Sequence, residues 1–88
     1  MIAQEVVVGN RHGLHLRAAS SLARCMDGFA SRATLSCGTQ QADARSVLSL
    51  LMLGLCHGTR ALLTVSGDDE GAAFRALVEL FGRNFGEE

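Results

Sequence analysis

Residues 10–20, which read NRHGLHLRAAS, change from a polar loop into a helix, and the rest of the chain is arranged around this change. Apolar residues then recur with the spacing of one helix face, at Ala19, Leu22, Ala23 and Met26. The pattern predicts a helix from about residue 16 to residue 26, with Gly28 as its C-terminal stop. His15 is therefore expected beside the helix N-cap.

The expected position of His15 has a chemical consequence. The first turn of a helix carries unpaired backbone N–H groups and a partial positive charge, which favour a bound phosphate. The same field disfavours a protonated imidazole, and a neutral ring has a lone pair that can attack phosphorus. Arg17 adds a guanidinium suited to phosphate oxygens, and Gly13 leaves room for a partner. These residues are typical of a reversible histidine phosphorylation site, although a histidine here can also be only a cap or a surface residue.

The composition indicates one small folded domain. The chain has 88 residues, 48% of them hydrophobic, so we expect a single domain over residues 1–88 with a modest core. A net charge of −1 and the absence of Trp and Tyr argue against nucleic-acid binding. No apolar run is long enough to span a bilayer, and residues 1–10 lack the positive start of a signal peptide. We therefore expect a cytoplasmic protein without membrane insertion.

The cysteine and histidine patterns do not predict a metal site. The three cysteines form no CxxC pair, and we expect reduced thiols in or near the core. His12 and His15 are spaced as HxxH, but no cysteine or acidic residue follows at ligand spacing. We therefore expect no metal and no cofactor, and we interpret His57 as structural or exposed.

Alternating and helical patterns place the remaining elements. Strands are predicted at residues 2–8, 32–37, 40–43 and 60–66. A short helix is predicted at residues 47–53, opened by Ser46 and closed by Gly54. The buried stripe of a last helix is predicted at Ala73, Ala76, Leu77, Leu80 and Phe81. The order β-α-β-β-α-β-α indicates an α+β domain with helices packed on one face of an antiparallel sheet.

Two segments resemble a known family. GLHLRAA at residues 13–19 resembles the GLHxRPA signature of the HPr family, the histidine-containing phosphocarriers of the bacterial phosphotransferase system. RSVLSLLMLG at residues 45–54 resembles the family segment KSIMGVMSLG, and the spacing between the two segments fits without a gap. The resemblance covers nearly the whole chain. Ala18 stands where the family commonly has proline, and Leu16 replaces a usual small or polar residue.

The resemblance implies an HPr-like open-faced β-sandwich, with a four-stranded antiparallel sheet and three helices on one face. It also implies that Nδ1 of His15 accepts a phosphoryl group from enzyme I, which draws on phosphoenolpyruvate. Arg17 assists the transfer, and the group passes to an enzyme IIA-type protein in sugar uptake or its regulation. Such a protein is a carrier within the phosphotransferase system rather than a stand-alone enzyme.

The second segment is expected to contribute a regulatory residue and a docking surface. Ser46 is expected to cap the short helix, and the resemblance aligns it with a serine that HPr kinase phosphorylates in some bacteria. The family's docking surface around the histidine corresponds to Leu16, Ser20, Val47, Leu48 and Leu51. Arg17, Arg24 and Arg45 are expected at its rim and would suit acidic partners. For any single member of this surface, a role in the core alone is the alternative.

The sequence leaves two other functions open. One is a regulatory HPr-like protein that acts in nitrogen or carbon control rather than in sugar uptake. The other is an interaction domain that keeps the fold without phosphotransfer. Ala18 in place of the usual proline leaves the interaction domain open, whereas the retention of His15 and Arg17 argues against it.

Overall fold

Four β-strands form one antiparallel sheet in the computed structural model, which describes residues 1–86. The strands are β1 (Ile2–Val7), β2 (Arg32–Cys37), β3 (Gln40–Asp43) and β4 (Arg60–Ser66). Across the sheet their order is β1-β4-β2-β3, so the last strand of the chain lies between the first and the second. Each neighbouring pair is antiparallel, and Leu63 of β4 is opposite both Gln4 of β1 and Leu35 of β2.

Three α-helices are interspersed with these strands in the described part of the chain. They are α1 (Leu16–Met26), α2 (Val47–Leu53) and α3 (Glu70–Gly82), and a short 3₁₀ turn follows at Asn84–Gly86. The predicted element order and the open-faced sandwich are therefore confirmed, with the 3₁₀ turn as an addition. The single domain over residues 1–88 stays a prediction, since residues 87 and 88 lie outside the described residues.

The strand residues alternate between a helix-covered face and an open face. The buried strand side chains share the covered face and are Val6, Ala33, Leu35, Ala42, Ala61, Leu63 and Val65. On the open face, Val7 and Leu62 are 48% and 44% exposed. Strand β1 ends one residue earlier than predicted, but Val8 is still buried, and its N–H donates to the Thr59 carbonyl at 2.9 Å.

Helix α3 contributes the predicted apolar stripe, although its members differ in depth. The buried members are Ala73, Leu77 and Phe81, and the half-buried ones are Ala76 and Leu80. Beyond the helix, the buried Phe85 ring meets the Phe81 ring edge to face, with centroids 4.9 Å apart. Phe85 has a left-handed backbone conformation with φ of 59°, which returns the chain toward α3.

The C-terminal end of α1 is stabilised by an arginine rather than by the predicted glycine, since Gly28 does not adopt a positive φ. The Arg45 guanidinium donates hydrogen bonds to the carbonyl oxygens of Met26 at 2.9 Å, Phe29 at 2.6 Å and Ser31 at 2.8 Å. A cation at this end of a helix also interacts favourably with the helix dipole. The guanidinium is thus engaged within the fold, which differs from its expected place at the rim of a docking surface.

The three cysteines are free thiols. Cys25 and Cys37 are half-buried against the core, and burial raises the pKa of the Cys25 thiol. Cys56 is exposed, so the expectation that it lies in or near the core is wrong. The reason is its place in the turn between α2 and β4, outside the two layers of the sandwich.

Asp69 joins the start of α3 to the loop between α1 and β2. Its carboxylate accepts hydrogen bonds from the backbone N–H groups of Ala30 at 2.8 Å and Ser31 at 2.9 Å, and from the Ser31 hydroxyl. Because the carboxylate is engaged there, it does not cap α3, although Asp69 occupies the N-cap position. These bonds favour the ionised carboxylate and lower the pKa of Asp69, the Ser31 hydroxyl most strongly and the Ala30 N–H next.

Replacing Asp69 with Asn should lower the free energy of unfolding at neutral pH and make it less dependent on pH under acidic conditions. Since the pKa of Asp69 is lower in the folded state, its contribution to stability is complete above the unfolded value of about 3.9. That contribution is lost as the pH falls through the lower folded value. Urea denaturation of the wild type and Asp69→Asn from about pH 7 to about pH 3 measures the effect. The stability difference should shrink with acidification, and a constant difference would contradict the assignment; Asp68→Asn is the control.

Candidate functional site

The loop that precedes α1 is held against the turn between α2 and β4. The Leu14 N–H donates to the Leu55 carbonyl at 2.9 Å, and the Gly58 N–H donates to the Val8 carbonyl at 2.7 Å. Leu14 and Leu55 are both buried. These contacts fix the two ends of the loop, so the position of His15 depends on long-range packing as well as on α1.

Within the loop, Asn10 and Gly13 close a turn. The Gly13 N–H donates to the Asn10 carbonyl at 3.1 Å, and the side-chain amide of the fully buried Asn10 donates to the Gly13 carbonyl at 2.5 Å. Gly13 has a φ of 71°, and a Cβ on it would lie 2.6 Å from the Leu55 carbonyl oxygen. Glycine is therefore required by both the backbone conformation and the available space. The chain itself occupies the room that was expected to serve a partner.

His15 is itself the N-cap of α1, whereas the sequence predicts only that it lies beside the cap. Its backbone is extended, with φ of −87° and ψ of −175°, and its carbonyl accepts the Ala19 N–H at 2.8 Å. The Nδ1 atom accepts a hydrogen bond from the Arg17 N–H at 3.2 Å, whereas the Nε2 atom is buried. An imidazole nitrogen that accepts a hydrogen bond carries a lone pair rather than a proton. The lone pair of Nδ1 therefore points toward the backbone amides of the first turn.

The first turn of α1 has no acidic residue that would oppose a bound anion. Leu16 is 63% exposed and Arg17 is also exposed, whereas Ala18 is fully buried. Ala18 precedes the residue that donates the first hydrogen bond of the helix, so its N–H lies outside the intrahelical series. Alanine here and the proline common in similar sequences are thus compatible with the same helix start.

A second imidazole and a further cation lie beside His15. Arg11 and His12 occupy the two central positions of the Asn10–Gly13 turn, and both are exposed. The rings of His12 and His15 meet edge to face, with centroids 5.8 Å apart and an interplanar angle of 81°. With Arg17, these side chains make the N-terminal end of α1 basic in a chain whose net charge is −1.

Helix α2 presents apolar side chains beside α1, because the two helices pack against each other. Its exposed apolar residues are Leu48 at 69%, Leu51 at 36% and Met52 at 74%. Leu50 is fully buried, and Val47 is half-buried against the core. The core-only alternative is therefore wrong for Leu48 and Leu51 but stays open for Val47. Among the predicted docking residues on α1, Leu16 is exposed and Ser20 is half-buried.

Ser46 is the N-cap of α2, as predicted. Its Oγ accepts a hydrogen bond from the Ser49 N–H at 3.2 Å and donates one to the Ser49 Oγ at 3.0 Å. The residue is half-buried. The hydroxyl therefore has a structural role in the unmodified protein, as a serine at a helix start usually does.

The sequence does not predict a role at this site for three residues of the region. Asn10 gave no signal, since its buried amide acts only on the folded loop. The HxxH spacing of His12 and His15 indicates at most an incomplete metal site, and the contact between the two rings depends on the turn. Met52 could have been found, because it lies four residues after Leu48 and so on the same outer face of α2.

Two findings concern residues 1–86 as a whole. No three His, Cys, Asp or Glu side chains among them are grouped so that they could hold a metal ion. No helix within these residues has the length and apolar character needed to cross a membrane.

The fold and the site define a small α+β protein that presents a histidine at a helix N-terminus beside exposed apolar side chains. Residues 2–83 match the family described as PTS HPr component, phosphorylation site. The chain is 36% identical over 88 residues to a phosphocarrier protein HPr of Xylella fastidiosa, across 100% of this chain and 99% of that protein. A phosphocarrier protein HPr of Cupriavidus necator is 33% identical over 87 residues, across 99% of this chain and 98% of that protein.

Among solved structures, HPr-C-His of Thermoanaerobacter tengcongensis is similar, with a TM-score of 0.94 and 32% sequence identity. The match covers 100% of this chain and 99% of that one. The chain belongs to the HPr family, the phosphocarriers of the phosphotransferase system. The resemblance seen in two segments of the sequence is therefore confirmed over the whole domain.

Replacing Gly13 with Ala should lower the free energy of unfolding by more than the strain of a left-handed alanine alone would. The variant combines a left-handed φ with a Cβ placed against the Leu55 carbonyl oxygen, and we expect a loss of about 2–4 kcal/mol in the free energy of unfolding. Gly38→Ala is a matched control, because its φ is 62° but nothing lies within 4 Å of its Cβ position. Urea denaturation measures both variants, and equal losses would contradict the steric role of Gly13.

Proposed function

We propose that this chain is a cytoplasmic phosphocarrier in which His15 accepts a phosphoryl group from enzyme I and passes it to enzyme IIA-type proteins. The observation that carries the proposal is the hydrogen bond from the Arg17 N–H to Nδ1 of His15 at 3.2 Å. A phosphoryl group on Nδ1 would meet the amides and positive end of α1. The burial of Nε2 favours Nδ1 as the acceptor atom.

In the proposed transfer, the Nδ1 lone pair attacks the phosphorus of a phosphohistidine on enzyme I. The new N–P bond forms as the donor's N–P bond breaks, and that electron pair stays on the donor imidazole. The Arg17 N–H leaves Nδ1 and donates to a phosphoryl oxygen. Alignment and charge neutralisation supply most of the catalysis, because phosphoryl transfer has a loose transition state. In the second transfer, phosphorylated His15 is the donor. A nucleophile of the acceptor protein attacks the phosphorus, and the bond between phosphorus and Nδ1 breaks.

Arg17 supplies the mobile cation of the proposed site. Its side chain is exposed while its backbone N–H is fixed at the second position of α1. The guanidinium can therefore bind phosphoryl oxygens during transfer and contact an acidic partner during docking. The amides of α1 provide fixed dipoles, whereas Arg17 provides a full charge.

We assign the docking surface to side chains of α1 and α2, all of them apolar except Ser20. The predicted members are Leu16, Ser20, Val47, Leu48 and Leu51, to which the exposure of Met52 adds a sixth. A small apolar surface beside cations suits brief contacts with several acidic partners, as a carrier requires. A carrier in sugar uptake and one in nitrogen or carbon control need the same chemistry at His15, so this surface decides between them through its partners.

Replacing His15 with Ala should abolish phosphorylation. Wild-type protein incubated with enzyme I and phosphoenolpyruvate should gain acid-labile, alkali-stable phosphate, and His15→Ala should gain none. Arg17→Ala should slow the transfer about 10²- to 10³-fold, since it removes a cation that stabilises transferring charge. Labelled phosphate incorporation measures these rates, with His57→Ala as the control. Unchanged labelling of His15→Ala would exclude His15 as the acceptor.

Ser46 is proposed as a site of regulatory phosphorylation by HPr kinase or a similar enzyme. Ser46 is half-buried and lies at the start of α2, next to the proposed docking surface. A phosphate there adds a charge of about −2 at a helix N-terminus, which stabilises the helix rather than melting it. The regulatory effect would come from repulsion or attraction of docking partners.

Replacing Ser46 with Ala separates the capping role from the regulatory one. The loss of the cap should lower the free energy of unfolding by about 1 kcal/mol, measured by urea denaturation. Treatment with HPr kinase and ATP should give acid-stable phosphate on the wild type and none on Ser46→Ala. The Ser49→Ala variant retains the acceptor hydroxyl and should still be labelled. Label on Ser46→Ala would place the modification elsewhere.

A further inference from the structure

We propose that His12 is a phosphoryl-binding residue of this site, whose imidazole donates a hydrogen bond to an oxygen of the phosphoryl group on His15. The inference rests on the proposed function, because it assigns a second binding group to the phosphorylated state of His15. His12 would thus have a role at this site, whereas its HxxH spacing with His15 indicates only an incomplete metal site.

The backbone around His12 is held in place although its side chain is exposed. His12 is one of the two central residues of the turn that Asn10 and Gly13 close with two hydrogen bonds. The anchor of that turn, Asn10, is fully buried, and Gly13 is packed against the Leu55 carbonyl. The turn therefore presents His12 from a fixed point, which limits the entropy lost when its ring binds a ligand.

The two imidazoles are already in contact in the unphosphorylated protein. Their centroids are 5.8 Å apart and the interplanar angle is 81°, an edge-to-face pair in which the edge of one ring meets the face of the other. At that centroid separation, a rotation of the exposed His12 side chain would bring a ring nitrogen to an oxygen of a phosphoryl group on Nδ1.

The chemistry of imidazole suits this contact. A neutral imidazole has one N–H donor, and a protonated one has two donors and a positive charge. Phosphoryl oxygens are anionic and form strong hydrogen bonds with such donors. Arg17 and the α1 amides follow His15 in the chain, whereas His12 precedes it on the loop, so the proposed contact adds a donor from another segment.

The consequence is a phosphorylated form that is more stable relative to the unphosphorylated one. Removing a hydrogen bond to an anionic group at an exposed position should reduce the equilibrium ratio of phosphorylated to unphosphorylated protein about five- to tenfold. His12→Gln retains an N–H donor on a side chain of comparable reach and should restore part of the ratio. A purely structural role of the ring would not be rescued in this way.

The test measures that ratio for the full chain in a fixed mixture of enzyme I, phosphoenolpyruvate and pyruvate, by phosphorus NMR. The wild type is compared with His12→Ala, His12→Gln and the control His57→Gln, and circular dichroism checks that each variant is folded. Each protein is also phosphorylated with phosphoramidate, a small chemical donor that bypasses enzyme I and any docking contact.

A five- to tenfold lower ratio in His12→Ala, partial rescue in His12→Gln and no change in His57→Gln would support the assignment. The same ratio in His12→Ala and wild type, with His15 phosphorylated in both, would overturn the role of His12 and leave the proposed function intact. Absence of phosphate on wild-type His15 with both donors would overturn the proposed function and the role of His12 together.

Discussion

The hydrogen bond from the Arg17 N–H to Nδ1 of His15 is the interaction on which the site depends. It requires a helix that begins at residue 16, an extended backbone at residue 15 and an imidazole that carries a lone pair on Nδ1. A histidine in this position completes the helix in the unmodified protein and faces the positive end of the dipole. The structural cap and the proposed phosphoryl acceptor are therefore the same atom.

Contacts at both ends of α1 hold Nδ1 of His15 in place. The loop before α1 is fastened to the turn after α2 through Leu14 and Leu55, and the buried amide of Asn10 fixes its interior. At the opposite end of α1, the Arg45 guanidinium donates to the carbonyl oxygen of Met26, the last helical residue, and to that of Phe29 in the following loop. Both ends of α1 are thus constrained by distant segments, so the amides at its start keep a defined direction toward His15.

Local patterns in the sequence predicted the elements well, because burial on one face of a strand or helix leaves a periodic trace. The prediction was less successful where a contact involves segments far apart in the chain. The sequence predicts Gly28 as the C-terminal stop of α1, but that end is stabilised by the guanidinium of Arg45, 19 residues beyond Met26. Cys56 was expected in or near the core, yet it lies in an exposed turn. Neither feature produces a periodic pattern of apolar residues in the sequence.

The sequence by itself determined the order of strands and helices, the place of His15 at the start of α1 and the cap at Ser46, since these depend on residues only a few positions apart. Only the tertiary structure decided which apolar side chains of α2 stay exposed. It also decided that the backbone of Leu55 occupies the space beside Gly13 and that the His12 ring meets the His15 ring. Those features arise when the sheet brings distant segments together, and a one-dimensional pattern carries no record of that contact.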